Sequence, residues 1–124
     1  RKVTLTIDLA DLIENAKHVI VIAPEGPELL VSKGNFTHSE ILQLYLLAAH
    51  IGFQLGKLSS DTMTKEQLQA KLGKNMKITA TRLSESVKQG NVIRTDEKNF
   101  KITTLGISRL QKETLPKALS TSST

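Results

Sequence analysis

The 124-residue sequence contains no cysteine, which excludes both a disulfide framework and a thiolate metal site. A reducing compartment fits this. No apolar stretch approaches the roughly 18 residues that cross a bilayer, and the N-terminus lacks the pattern of a signal peptide. The expectation is a cytoplasmic protein with no membrane partner. Aromatic residues make up only 3%, and Tyr45 and Phe53 offer no stacking platform for single-stranded nucleic acid. A glycine-rich phosphate loop is also missing. The β-α-β order near the N-terminus invites a nucleotide-fold reading, but its turn, APEGPE at 23–28, holds two prolines, two carboxylates and one glycine, a poor cradle for phosphate. His18, His38 and His50 stand too far apart in sequence for a metal pair, so no metal and no cofactor is expected. Asp8, Asp11 and Glu14 read as a cap and solvated charges. With no convincing nucleophile set or paired acid and base, the chain is expected to have no catalytic residues and not to be an enzyme.

What is present is enough apolar residue, 39%, to line one modest core. The net charge of +5 is unevenly placed. Residues 1–56 carry four basic and six acidic groups, and residues 57–124 carry thirteen and six, so the two parts stand at −2 and +7. A positive field over the C-terminal half attracts a polyanion, although it also serves solubility alone.

Val3, Leu5 and Ile7 alternate with polar residues and predict a strand over 3–7. Leu9, Leu12, Ile13 and Ala16 follow at helical spacing, with Asp8 as cap. HVIVIA at 18–23 is β-branched and apolar, which predicts a strand covered on both faces, and Leu29 to Val31 is placed to pair back as a hairpin. After Gly34 the period changes. Thr37 or Ser39 caps a long helix containing Ile41, Leu42, Tyr45, Leu46, Ala49, Ile51, Phe53 and Leu55, apolar around more than one stripe. That implies burial on two sides, against neighbouring segments or across a dimer interface.

From Thr64 the signals come in close order. Thr64 and Gln67 form a capping-box pair, Leu68, Ala70 and Leu72 line a short helix, and Gly73 supplies the positive φ that ends it. The next helix spans about 76–89, with Met76, Ala80, Leu83 and Val87 as its apolar stripe and Lys77, Thr79, Thr81, Arg82, Ser84, Glu85 and Lys88 on the wet face. Gly90 ends it. Val92 and Ile93 begin a strand, residues 95–99 form a polar tip, and 100–102 return. Thr103 caps a closing helix through Leu105, Ile107, Leu110 and Leu115, which Pro116 weakens or ends, leaving 120–124 as a disordered tail.

Residues 64–110 resemble the winged helix-turn-helix of prokaryotic and archaeal transcriptional regulators, including those similar to the MarR group. The resemblance rests on Thr64 with the Leu68–Leu72 helix, the Gly73 turn, Arg82-Leu83, Gly90, the strand at Val92, and the IT..G set of Ile102, Thr103 and Gly106. In place of a Ser or Thr cap on the second helix this sequence has Asn75, with Met76 as the nearby apolar anchor. The resemblance implies sequence-specific binding of double-stranded DNA in transcriptional regulation, by a homodimer. Lys74, Asn75, Lys77, Thr79, Thr81, Arg82 and Lys88 then belong to the groove-entering helix. Arg82 or Thr81 reaches base edges, Lys77 and Lys88 touch phosphates, and Arg94, Lys98 and Lys101 make a positive wing.

The fold class expected is α+β: a winged helix-turn-helix over 36–119 with an N-terminal β-α-β(β) extension over 1–35. That extension is a buttress, a dimerising β element, or the remnant of a larger domain preceding residue 1. The alternative function is a winged-helix protein-protein interaction module within a larger assembly.

Overall fold

The computed structural model describes residues 5–122, and over these the chain is α+β. Asp8 caps α1 (Leu9–Ala16), its carboxylate accepting from the Asp11 amide at 3.1 Å. The strand expected at 3–7 is not formed where it is described. Residues 5–8 are irregular, and residues 3 and 4 lie outside the described residues.

β1 (Ile20–Ala23) pairs antiparallel with β2 (Gly26–Leu29) in the register Ile20↔Leu29 to Ala23↔Gly26. The returning strand therefore starts at Gly26 rather than Leu29, because Pro24 and Glu25 alone make the turn. Nor is β1 covered on both faces: among the described residues the pair has no third strand, and Val21 is 41% exposed. A single short turn of 3-10 helix, Lys33–Asn35, leads into the long helix.

That helix, α2 (His38–Gln54), begins at Thr37. The Thr37 hydroxyl accepts from the Glu40 amide at 3.1 Å, and the Glu40 carboxylate accepts from the Thr37 amide at 2.9 Å. Residues 41–49 are all buried. Their cover comes from the chain itself: β1 and β2, together with the helices Lys65–Leu72 and Met76–Lys88 and the strand Asn99–Ile102, pack against α2. Two-sided burial of this helix thus needs no second copy.

β3 (Met63–Thr64) runs directly into α3 (Lys65–Leu72), so Thr64 is both strand residue and cap. The reciprocal Thr64 and Gln67 bonds close at 3.0 and 2.9 Å, and Gly73 ends the helix at φ 77°. Lys74 and Asn75 turn the chain into α4 (Met76–Lys88). β4 (Val92–Arg94) and β5 (Asn99–Ile102) form a hairpin that β3 completes, in the order β3-β5-β4, all antiparallel.

Thr103 then caps α5 (Thr104–Arg109). Gly106 is required here by close approach, since a Cβ at that position would lie 2.2 Å from the Asn91 carbonyl oxygen. The helical run does not stop at Pro116. A π turn, Leu110–Thr114, precedes α6 (Leu115–Ser122), and the Leu115 amide bonds five residues back to Leu110. The wide turn shifts the carbonyl that the proline ring would otherwise strike. Residues 120–122 accordingly continue the helix instead of forming a tail, and residues 123 and 124 lie outside the described residues.

One hydrophobic cluster runs through these elements, from Leu12 and Val19 through Leu42, Leu46 and Leu68 to Leu83, Phe100, Ile102, Leu110 and Leu115.

Candidate nucleic-acid interface

The surface of interest is built on α4 and the β4–β5 hairpin beside it. Asn75 starts α4, its side-chain oxygen accepting from the Ile78 amide at 2.9 Å. The buried stripe of α4 is Thr79, Leu83 and Ser86, with Met76 half-buried. It is rotated from the expected Met76-Ala80-Leu83-Val87 stripe, and Val87 is exposed. Hydroxyls make the rotation tolerable. Thr79 donates to the Asn75 carbonyl at 3.0 Å, and Ser86 accepts from the Gln43 amide at 2.9 Å, so both buried polar groups are satisfied. Thr79, expected on the wet face, is fully buried and touches no solvent.

Opposite that stripe lie Lys77, Thr81, Ser84 and Lys88, all exposed. Their spacings of 4, 3 and 4 put them in one row. The row holds no acidic residue, and neither lysine forms an ion pair with a described residue. Lys77 and Lys88 are separated by about 16 Å along the helix at roughly 1.5 Å per residue. Lys74 is exposed at the end of the turn and extends the row.

Arg82 is not in that row. Its guanidinium holds both carboxylate oxygens of Glu85, at 2.8 and 2.9 Å, and both residues turn toward a polar cleft of about 660 Å³ shared with Gln43, Gln89 and Arg109. Within this cleft Arg109 donates to the Gln89 carbonyl and the Asn91 side chain, both at 2.8 Å.

The hairpin divides its three expected cations. Arg94 leans over the Phe100 ring at 5.2 Å and faces α4 across a cleft of about 290 Å³ whose walls include Lys65, Ser84 and Val87. Lys98 is exposed at the tip. Lys101 points elsewhere and pairs with Asp61 at 3.2 Å. Asp96 folds back into the tip, accepting from the Lys98 and Asn99 amides at 2.8 and 3.0 Å. The Lys98 backbone bond first, then the Asn99 side chain and less strongly the Asn99 backbone bond, hold its carboxyl below the usual carboxylate range. Its charge is thus kept, and the tip is mixed in sign.

The structure therefore brings Lys77, Thr81 and Lys88 onto one face of α4, with Arg94 across the cleft beside it, and leaves Lys74 and Lys98 exposed at the turn before α4 and at the hairpin tip. It sets Arg82 and Lys101 apart, buries Thr79 and uses Asn75 as a cap. Lys65 and Ser84 join the surface without having been singled out as site residues. Lys65 follows a strand too short to register in the pattern, and Ser84 carries no charge to draw notice. Among the described residues no group of carboxylates and histidines could hold a metal ion, and no helix is long and apolar enough to cross a membrane. The chain matches no protein-family profile, no curated protein and no solved structure.

Proposed function

We propose that this chain is a winged-helix protein that binds double-stranded DNA, with α4 in the major groove and the β4–β5 hairpin as the wing. The observation that carries the reading is the acid-free row of Lys77, Thr81, Ser84 and Lys88, flanked by Arg94 and Lys65. A major groove about 12 Å wide admits one α-helix, and lysines about 16 Å apart on that helix suit the phosphate rows on its two sides. The order α2-β3-α3-α4-β4-β5, with the sheet arranged β3-β5-β4, supports the winged-helix assignment. The reading includes a homodimer, since two copies on one duplex double the contacts. With α2 covered by its own chain, association falls to exposed apolar side chains such as Val21, Phe53 and Leu55.

Titrating labelled duplex DNA with the full chain between about 50 and 200 mM salt tests this. Binding at low salt with a steep loss on adding salt is expected. Lys77→Ala and Lys88→Ala should each weaken it and lower the log–log salt slope by about 1. Absence of binding at low salt would remove the proposal. The second reading, a protein-interaction module, draws on the exposure of Val87 and Ile93 beside the same surface; complexes that survive nuclease treatment would favour it.

A further inference from the structure

Reading a base pair in the major groove takes a side chain able to offer two matched hydrogen bonds, chiefly Arg to guanine or Asn and Gln to adenine. We infer that this protein binds the duplex through its phosphates and discriminates little among base sequences, because the Arg, Asn and Gln side chains of α4 and the hairpin, Arg94 excepted, are bonded within the chain and none of them stands in the outward row of α4. The inference rests on the duplex-binding reading above.

Asn75 has its amide oxygen engaged in capping α4 through the Ile78 amide, which fixes the side chain at the helix start and leaves one lone pair on that oxygen. Arg82 is held by both oxygens of Glu85 and turned into the polar cleft. Gln89 lines that cleft too, its side-chain oxygen accepting from Asn91 at 3.3 Å. Asn91 itself is buried and bound by Arg109. Asn99 donates to both oxygens of Asp96, at 3.1 and 2.9 Å. Arg94 alone has a free fork, but it leans over the Phe100 ring at the mouth of the cleft, beside Lys65. That places it off the row, where a phosphate strand rather than a base edge would pass.

What faces outward from α4 is two lysines and two small hydroxyls. The Thr81 hydroxyl already donates to the Lys77 carbonyl at 2.8 Å, leaving it only acceptor capacity toward a base. A lysine is a point charge that suits phosphate, and Ser84 offers one short-range bond. Such a row recognises the repeat of the backbone. The partner it fits is duplex DNA of general sequence, held by charge and groove shape.

The test is competition on the full-length chain. A randomised duplex library is put through repeated selection, and the affinity of the most enriched duplex is compared with that of the starting library. A difference below tenfold is expected, and tenfold or more overturns the inference while leaving duplex binding intact. Failure to bind any duplex overturns both readings together. Arg82→Ala, checked for folding by circular dichroism and thermal melting, should leave affinity within twofold. A greater loss in the folded variant would show that Arg82 leaves Glu85 to read the DNA, which also overturns the inference. Because the selection uses the unaltered protein, the outcome stands even if the variant does not fold.

Discussion

His50 shows how a single residue couples the fold to its environment. Its Nδ1 is buried without a hydrogen-bond partner among the described residues. Burial is the largest influence on the imidazole and pushes its pKa below the ordinary value; the Asp61 carboxylate opposes this and Lys101 adds to it. A group that titrates lower when folded binds fewer protons than its unfolded counterpart in the interval between the two values. Stability therefore rises with pH across that interval and is lost as pH falls below about 6.5, the unfolded value. Urea midpoints between pH 7.5 and 5 should fall for the parent chain, and His50→Gln should flatten that fall; an equal slope in both would show that His50 is not responsible. At this scale the sequence was legible for caps and silent for orientation. Thr64, Asn75 and Thr103 were identifiable because a cap needs only a local partner three residues on. Thr79 was misplaced because the buried side of α4 depends on its packing against α2, and only the folded chain brings Gln43 to Ser86.

Among the elements, α5 depends on a contact that has no counterpart in helix propensity. Its first turn lies against the Asn91 carbonyl, which also accepts the Thr103 amide at 3.0 Å. Gly106→Ala improves intrinsic helix preference by about 1 kcal/mol, yet a methyl group at 2.2 Å from backbone oxygen forces the two segments apart. Overpacking of this kind costs about 1–3 kcal/mol and should prevail. Thermal melting of Gly106→Ala should thus show a lower midpoint than the parent; a raised midpoint would mean the hairpin yields freely. The helices could be read from their periods because each has an apolar side, but the β1–β2 register could not. HVIVIA carries no alternation to say which face is wet, and the proline-glycine turn after it allows more than one return point. The π turn was equally invisible, since it arises from how Pro116 is accommodated rather than from any residue preference inside it.

Across the whole molecule, the basic half identified by charge counting is not uniformly basic in space. Lys101 is drawn to Asp61, Lys117 lies 2.8 Å from Glu40, and Arg82 is bound to Glu85. Lys77 and Lys88 on α4 form no ion pair among the described residues, and the same holds for Lys57, Lys65, Lys74, Arg94, Lys98, Arg109 and Lys112 on other elements, so the unpaired charge is spread over several elements with two members on the outer face of α4. Sequence could count the cations, but the Lys101–Asp61 and Lys117–Glu40 pairs cross element boundaries that only the tertiary fold defines.

The strand order has a kinetic corollary. β5 holds β3 on one side and β4 on the other, and the pair Met63↔Phe100 closes a segment containing the whole of α3, α4 and β4. Neither helix can leave without opening that closure or unpacking Leu68 and Leu83 from beneath it. The backbone amides of α3, α4 and β5 should consequently exchange with solvent deuterium as one cooperative unit of nearly equal opening free energy, while the β1–β2 pair, a two-stranded sheet that lies outside that closure, opens separately from it. Independent exchange of α4 from β5 would contradict this. Long-range closure also slows folding relative to the local helices, so α4 would acquire its final orientation only when the last strand is seated.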